Sequence, residues 1–175
     1  MTITALEKAS ADDLDAISAL LYGVVAHLNQ SGIAQWDEVY PNKANVEKDL
    51  QNGELYMART GGKIAGIITL NRESDPAYQT ADWSYTGPDY RVVHRLCVAA
   101  DMQGQGIGGQ MMRLAEEMLI NSGMQSVRLD AFSQNPHSLR LYEKLGYRVV
   151  GEAVWRKGLF YPMEKNIASV RPSAE

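Results

Sequence analysis

A chain of 175 residues, 45% apolar and 22% charged, has the size and composition of about one globular domain, which excludes wholesale disorder. Its formal charge of −4 argues against a nucleic-acid partner, which brings a basic excess. A single cysteine, Cys97, excludes an intrachain disulfide framework, and three scattered histidines without CxxC or HxxxH spacing argue against a metal site. The N-terminal MTITALEKASADDLDA is no signal peptide, and no apolar run approaches the ~20 residues a membrane span needs. The expectation is a soluble, cytoplasmic protein without membrane or nucleic-acid partners.

Ile3 to Lys8 alternates and predicts a first strand. Ser10 followed by Asp13 has the capping-box arrangement, and Leu14, Ile17, Leu21, Val24 and Leu28 then recur at helical spacing until Gly32. An aromatic loop over 33–41 leads to a short helix from Lys43 to Asn52. Leu55 to Thr60 and Lys63 to Leu70 read as a hairpin across Gly61-Gly62. Residues 71–89, with Pro76, Trp83, Tyr85 and Pro88, read as a long loop lying over a site. Tyr90 to Ala99 predicts a strand, Ile107 to Leu119 a helix ended by Gly123, and Gln125 to Phe132 another strand. Asn135-Pro136 opens a helix with an Asn cap and Pro at the first helical position, closed by Gly146. Tyr147 to Trp155 and Leu159 to Lys165 predict a closing antiparallel pair. The result is one α/β domain over 3–166 with a short tail over 167–175.

The strand–loop–helix around residues 94–109 carries the chemistry. Gly104, Gly106, Gly108 and Gly109 stand where a helix should begin, although glycine costs roughly 0.8–1 kcal/mol against alanine inside one. A helix start offers unpaired N–H groups and the positive end of a dipole, and glycines let a ligand approach closely. That combination suits a pyrophosphate. Two ligands fit. Gly104-x-Gly106-x-x-Gly109 satisfies the dinucleotide pattern, with Asp130 lying 21 residues beyond at a strand end. Against it, five residues separate the strand from the first glycine, and the chain does not read as repeated βαβ units.

The second reading uses more of the chain. Val98-x-x-x-x-Gln103-x-x-Gly106-x-Gly108 resembles the acyl-CoA pyrophosphate loop of the GNAT superfamily of acetyltransferases. Asn135-Pro-His-Ser-Leu-Arg-Leu-Tyr142-Glu-Lys-Leu-Gly146-Tyr147 resembles that superfamily's second signature. The resemblance implies a mixed, mostly antiparallel sheet with splayed central strands and helices on both faces. It implies acetyl-CoA as cosubstrate, with no metal. The backbone of Gln103, Gly104, Gln105, Gly106, Ile107, Gly108 and Gly109 would hold the pyrophosphate. Backbone groups of Leu96, Cys97 and Val98 would bind the pantetheine arm, and Asn135 would contact it.

The same resemblance implies direct attack of an amine on the thioester, with Tyr142 protonating the leaving thiolate. Tyr142 follows Asn135 by seven positions, two helical turns, so the two share a face. An amine of pKa near 10 must first lose a proton, and His94 is the candidate base. It shares strand parity with Leu96 and Val98. Cys97 sits among apolar neighbours and reads as a core residue rather than a nucleophile. Trp36, Tyr40, Trp83 and Tyr85 are candidates for walls of the acceptor site, for a small-molecule or peptide amine. A non-catalytic acyl-CoA sensor stays as the alternative class, and a homodimer is left open.

Overall fold

The computed structural model describes residues 2–168. Its strands follow the hydrogen-bonded order β1-β2-β3-β4-β5-β8-β6, with β7 beside β8. In chain order these are β1 (Glu7–Lys8), β2 (Leu55–Thr60), β3 (Lys63–Asn71), β4 (Tyr90–Val98), β5 (Ser126–Phe132), β6 (Arg148–Val149), β7 (Ala153–Trp155) and β8 (Gly158–Asn166). The helices are α1 (Leu14–Gln30), α2 (Lys43–Asn52), α3 (Ile107–Asn121) and α4 (Pro136–Lys144). This is the expected mixed α/β architecture. The chain separates into two compact units, Met1–Leu70 with His94–Leu114, and Asn71–Val93 with Ala115–Glu175.

In the first unit, β1 pairs antiparallel with β2, and β2 with β3. The first strand is shorter than its alternation predicts. Only Glu7 and Lys8 pair, against Met57 and Tyr56, while Ile3 uses its N–H to reach the Gln110 side chain at 2.7 Å. Asp13 accepts from the Ser10 N–H at 2.9 Å, as the capping box requires, across a short 3₁₀ turn that feeds α1. The apolar stripe of α1 buries Ile17, Leu21 and Val24 against Val46 of α2 and Leu55, Met57 and Ile67 of the sheet. Burying each such side chain is worth roughly 1.5–3 kcal/mol, which sets the register of helix on sheet. Gly66 on β3 has a packing reason the sequence does not announce. A Cβ there would meet the Cys97 carbonyl oxygen at 2.6 Å and Met111 Sδ at 2.7 Å.

In the second unit, β4 and β5 run parallel, with a ladder from Tyr90↔Ser126 to Val92↔Arg128. β5 pairs antiparallel with β8 along its whole length, from Ser126↔Asn166 to Phe132↔Phe160. The closing segment predicted as one strand is two short ones, β6 and β7, each antiparallel to β8. Side-chain alternation divides β5 into two rows. Val127, Leu129 and Ala131 share a face with Lys165, whose partner Glu116 on α3 also accepts from Tyr147. Ser126, Arg128, Asp130 and Phe132 form the other row, covered by residues 76–90, which include a 3₁₀ turn over Pro76–Thr80. Ile167, expected to begin the tail, is fully buried and donates its N–H to the Gln125 carbonyl at 2.8 Å. The rest of the predicted tail, from residue 169, lies outside the described residues.

Candidate active site

The first unit holds the glycine loop. β4 ends at Val98, a 3₁₀ turn spans Ala100–Met102, and α3 begins at Ile107. Buried Met102 and Ile107 anchor the two ends, while Gln103, Gly104, Gln105 and Gly106 between them are exposed. Gly104 and Gly106 adopt φ of +75° and +76°, which only glycine takes without strain, and nothing lies within 4 Å of where their Cβ atoms would be. The Gln103 amide donates to the Val98 carbonyl at 3.1 Å and ties the loop back to the strand. Gly106 already accepts from the Gln110 N–H as α3 starts, and Gly108 and Gly109 lie inside its first turn. The result is an open backbone cradle at a helix N-terminus, with the chemistry an oxyanion needs.

Upstream, His94 is half-buried and Arg95 has φ of +51°, a left-handed residue inside a strand. Strict alternation therefore does not carry across Arg95, and parity no longer links His94 with Leu96 and Val98. The strain is held by the Arg95 side chain. Its guanidinium grips both Asp49 carboxylate oxygens at 2.6 and 2.7 Å and donates to the Tyr40 hydroxyl at 2.9 Å. Asp49 also accepts from Thr69 at 2.8 Å. Burial works against the Arg95 charge, but Tyr40 and Asp49 outweigh it and hold its pKa above the ordinary value. Cys97 is buried, and desolvation pushes its thiol up to about 12 against a lowering backbone bond from Ile67. A thiolate is thus suppressed, as the sequence reading of Cys97 expects.

The second unit holds the other signature. Asn135 caps α4, its Oδ1 accepting from the Ser138 N–H at 3.2 Å, with Pro136 at the first helical position. Tyr142 is buried and meets Tyr147 edge to face, ring centroids 5.9 Å apart. Burial, the Glu116 charge and the Glu116 hydrogen bond raise the Tyr147 pKa well above its usual value. Tyr147 is therefore committed to the fold.

The four aromatic candidates divide. Trp36 is buried in the core of α1, α2 and β2, and Tyr40 is the exposed partner of Arg95. Trp83 stacks over Arg128 at 4.2 Å and donates its indole N–H to the Tyr78 carbonyl, and Tyr85 bonds Arg128 and Glu164 through its backbone. Sequence reasoning missed Asp49, Arg95, Arg128 and Glu164. A signal existed for two of them: Asp49 stands three residues after buried Val46, and Glu164 shares strand parity with Phe160.

Residues 24–167 match the family described as the acetyltransferase (GNAT) domain. The N-acetyltransferase YesJ of Bacillus subtilis is 21% identical over 143 residues, 80% of this chain and 79% of that one. An aminoglycoside N(6')-acetyltransferase type 1 of Klebsiella pneumoniae is 28% identical over 138 residues, 71% of this chain and 67% of that one. Among solved structures, a GNAT-family acetyltransferase from Streptococcus agalactiae superposes with a TM-score of 0.82 at 20% identity, covering 92% of this chain and 94% of its own. The PaiA N-acetyltransferase of Thermoplasma acidophilum, solved in complex with coenzyme A, superposes with a TM-score of 0.70 at 18% identity, covering 95% and 99%.

Proposed function

This chain belongs to the GNAT acetyltransferase family and is an acyltransferase, and on that premise we propose that it transfers an acetyl group from acetyl-CoA to a primary amine of a small molecule or peptide. The observation that carries the cosubstrate is the cradle at Gln103–Gly106: two left-handed glycines, open where a side chain would stand, at the start of α3. That geometry fits a pyrophosphate. The dinucleotide alternative gives way to the family match over most of the chain.

In this reading the backbone N–H groups of residues 103–109 hold the phosphates, and the backbone of Leu96, Cys97 and Val98 orders the acyl arm. Asn135 contacts that arm while capping α4, two tasks its amide and backbone can share. The acceptor amine attacks the thioester carbonyl, forming the C–N bond as the C–S bond breaks. Tyr142 delivers its proton to the departing thiolate. His94 takes the proton the nitrogen loses, directly or through a water. Residues 3–166 form the working domain. The proposal extends to a cytoplasmic setting, and among the described residues no helix is long and apolar enough to cross a membrane.

The test pairs binding with turnover. Acetyl-CoA should raise the unfolding temperature by the linkage relation RT ln(1 + [L]/Kd). Thiol release over a panel of primary amines should then identify acceptors, and Tyr142→Phe should lower kcat by about 10²-fold. Stabilisation by acetyl-CoA without thiol release from any amine would instead establish the sensor.

A further inference from the structure

We infer that Arg95 is a positioning residue for acetyl transfer: its fork with Asp49 locks a left-handed kink in β4 that aims the backbone of Leu96, Cys97 and Val98 at the acyl arm of acetyl-CoA. This rests on the acetyl-transfer reading above. At φ +51° the Arg95 Cβ crowds the following carbonyl, a conformation that residues with a side chain avoid. Among the described residues every other positive φ belongs to a glycine. The chain thus uses glycine where it needs only the turn, and at position 95 it keeps a long side chain against the strain. Such a conformation persists only where its surroundings over-determine it, and a local break in a strand re-aims the groups that follow.

The side chain supplies that over-determination. Arg95 Nε and Nη2 bond the two Asp49 carboxylate oxygens at 2.7 and 2.6 Å, and Nη1 donates to the Tyr40 hydroxyl at 2.9 Å. Asp49 is buried on α2 and also accepts from the hydroxyl of Thr69 on β3 at 2.8 Å. One carboxylate therefore ties the kink to a helix and to the neighbouring strand. A planar fork fixes direction as well as distance, which a point charge does not. The second fixed point is Ala99, whose N–H donates to the Ala65 carbonyl at 2.8 Å. Just before it, β3 passes so close that a Cβ on Gly66 would meet the Cys97 carbonyl oxygen at 2.6 Å. Leu96, Cys97 and Val98 lie between the two points, and the kink at Arg95 sets the direction in which their backbone groups leave the first. The glycine cradle begins beyond the second point and has its own anchors in buried Met102 and Ile107. Losing the fork should therefore disturb the acyl-arm segment and spare the cradle.

Two ligands separate these segments: acetyl-CoA, and 3′-phospho-ADP, which keeps the pyrophosphate and lacks the acyl arm. Both are titrated calorimetrically into wild type and Arg95→Lys, which keeps a cation beside Asp49 but cannot form the fork. The variant should bind acetyl-CoA about tenfold more weakly than wild type, as the loss of one or two backbone hydrogen bonds predicts, and 3′-phospho-ADP within about twofold. Should Arg95→Lys fail to fold, the double variant Arg95→Gly with Asp49→Asn removes both charges together and takes the left-handed φ without strain. The same selective loss is expected of it. Unchanged affinity for acetyl-CoA in a folded variant overturns the inference. An equal loss for both ligands overturns it too, because a purely structural role would weaken the whole site. Wild type that binds acetyl-CoA no more tightly than 3′-phospho-ADP, or binds neither, is a different result: it strikes the acetyl-transfer reading, and this inference with it.

Discussion

Among the described residues each unit buries an arginine–carboxylate pair, and the two pairs are built in opposite ways. In the first, Arg95 and Asp49 are 9% and 3% exposed and meet in a bidentate fork, both carboxylate oxygens bonded. In the second, Arg128 and Glu164 are as buried, at 8% and 2%, yet the closest ion-pair approach is 3.8 Å and Arg128 Nε has no hydrogen-bond partner among the described residues. Arg128 is stabilised instead by the rings of Trp83 and Tyr90 and by the Tyr85 carbonyl. Glu164 spends its oxygens on Ser84, Tyr85 and Ser126. The pKa values follow. Arg95 is held above its ordinary value, whereas desolvation wins at Arg128 and lowers it despite Glu164. Equal burial does not make equal pairs. In one the carboxylate holds the cation. In the other the carboxylate holds a loop and the rings hold the cation.

The sharpest way to break the comparison is to remove each carboxylate in turn. Asp49→Ala leaves Arg95 buried without its fork and strands Thr69, so urea unfolding should show a loss of about 3–5 kcal/mol. A loss below about 1 kcal/mol would show that Arg95 does not depend on Asp49. Glu164→Gln keeps an amide oxygen for the Ser84 and Ser126 donors and disturbs Arg128 little, so about 1–3 kcal/mol is expected. Limited proteolysis should then cut within 72–89, because that segment is what Glu164 restrains. Should Glu164→Gln prove as damaging as Asp49→Ala, the contrast fails.

Smaller changes sharpen it. Tyr40→Phe removes one partly exposed hydrogen bond to the Arg95 guanidinium, worth about 1 kcal/mol by the same unfolding measurement. Arg59 supplies the solvated limit. It meets Asp13 at 2.7 Å and Glu7 at 3.4 Å on the surface. The Ser10 N–H, opposed by desolvation and helped by the Ser10 hydroxyl and Arg59, holds the Asp13 pKa below 3.8. A carboxylate with a depressed folded pKa adds stability above its unfolded pKa, and that stability is lost as pH falls through the folded one. Wild type and Asp13→Asn should therefore differ slightly at pH 6 and converge as pH falls below the ordinary carboxylate range. A gap that persists at pH 2 would show that the Asp13 charge is not its source.

How far the fold could be read in advance depended on how local its causes are. The α1 stripe, the Asn135-Pro136 start of α4 and the glycine loop before α3 are written in residues a few positions apart, and each appears where the spacing placed it. The first strand shrank because alternation alone does not create a partner, and only Glu7 and Lys8 found one. Residues 71–89 were legible as an aromatic cover. Their anchors were not, because Tyr78 answers to Asp130 and Ser84 to Glu164, fifty-two and eighty positions away.

By itself, then, the sequence determined most of the elements, the glycine loop before α3 and, through two spaced motifs, the family the chain belongs to. Tertiary structure alone decided the fate of the polar residues among apolar ones. Asp49, Arg95, Arg128 and Glu164 look like surface charges in their own segments. They became interior groups because segments distant in the chain brought each of them hydrogen-bond or ring partners. Burial of a charge is permitted by its partners, and partners are a property of the fold.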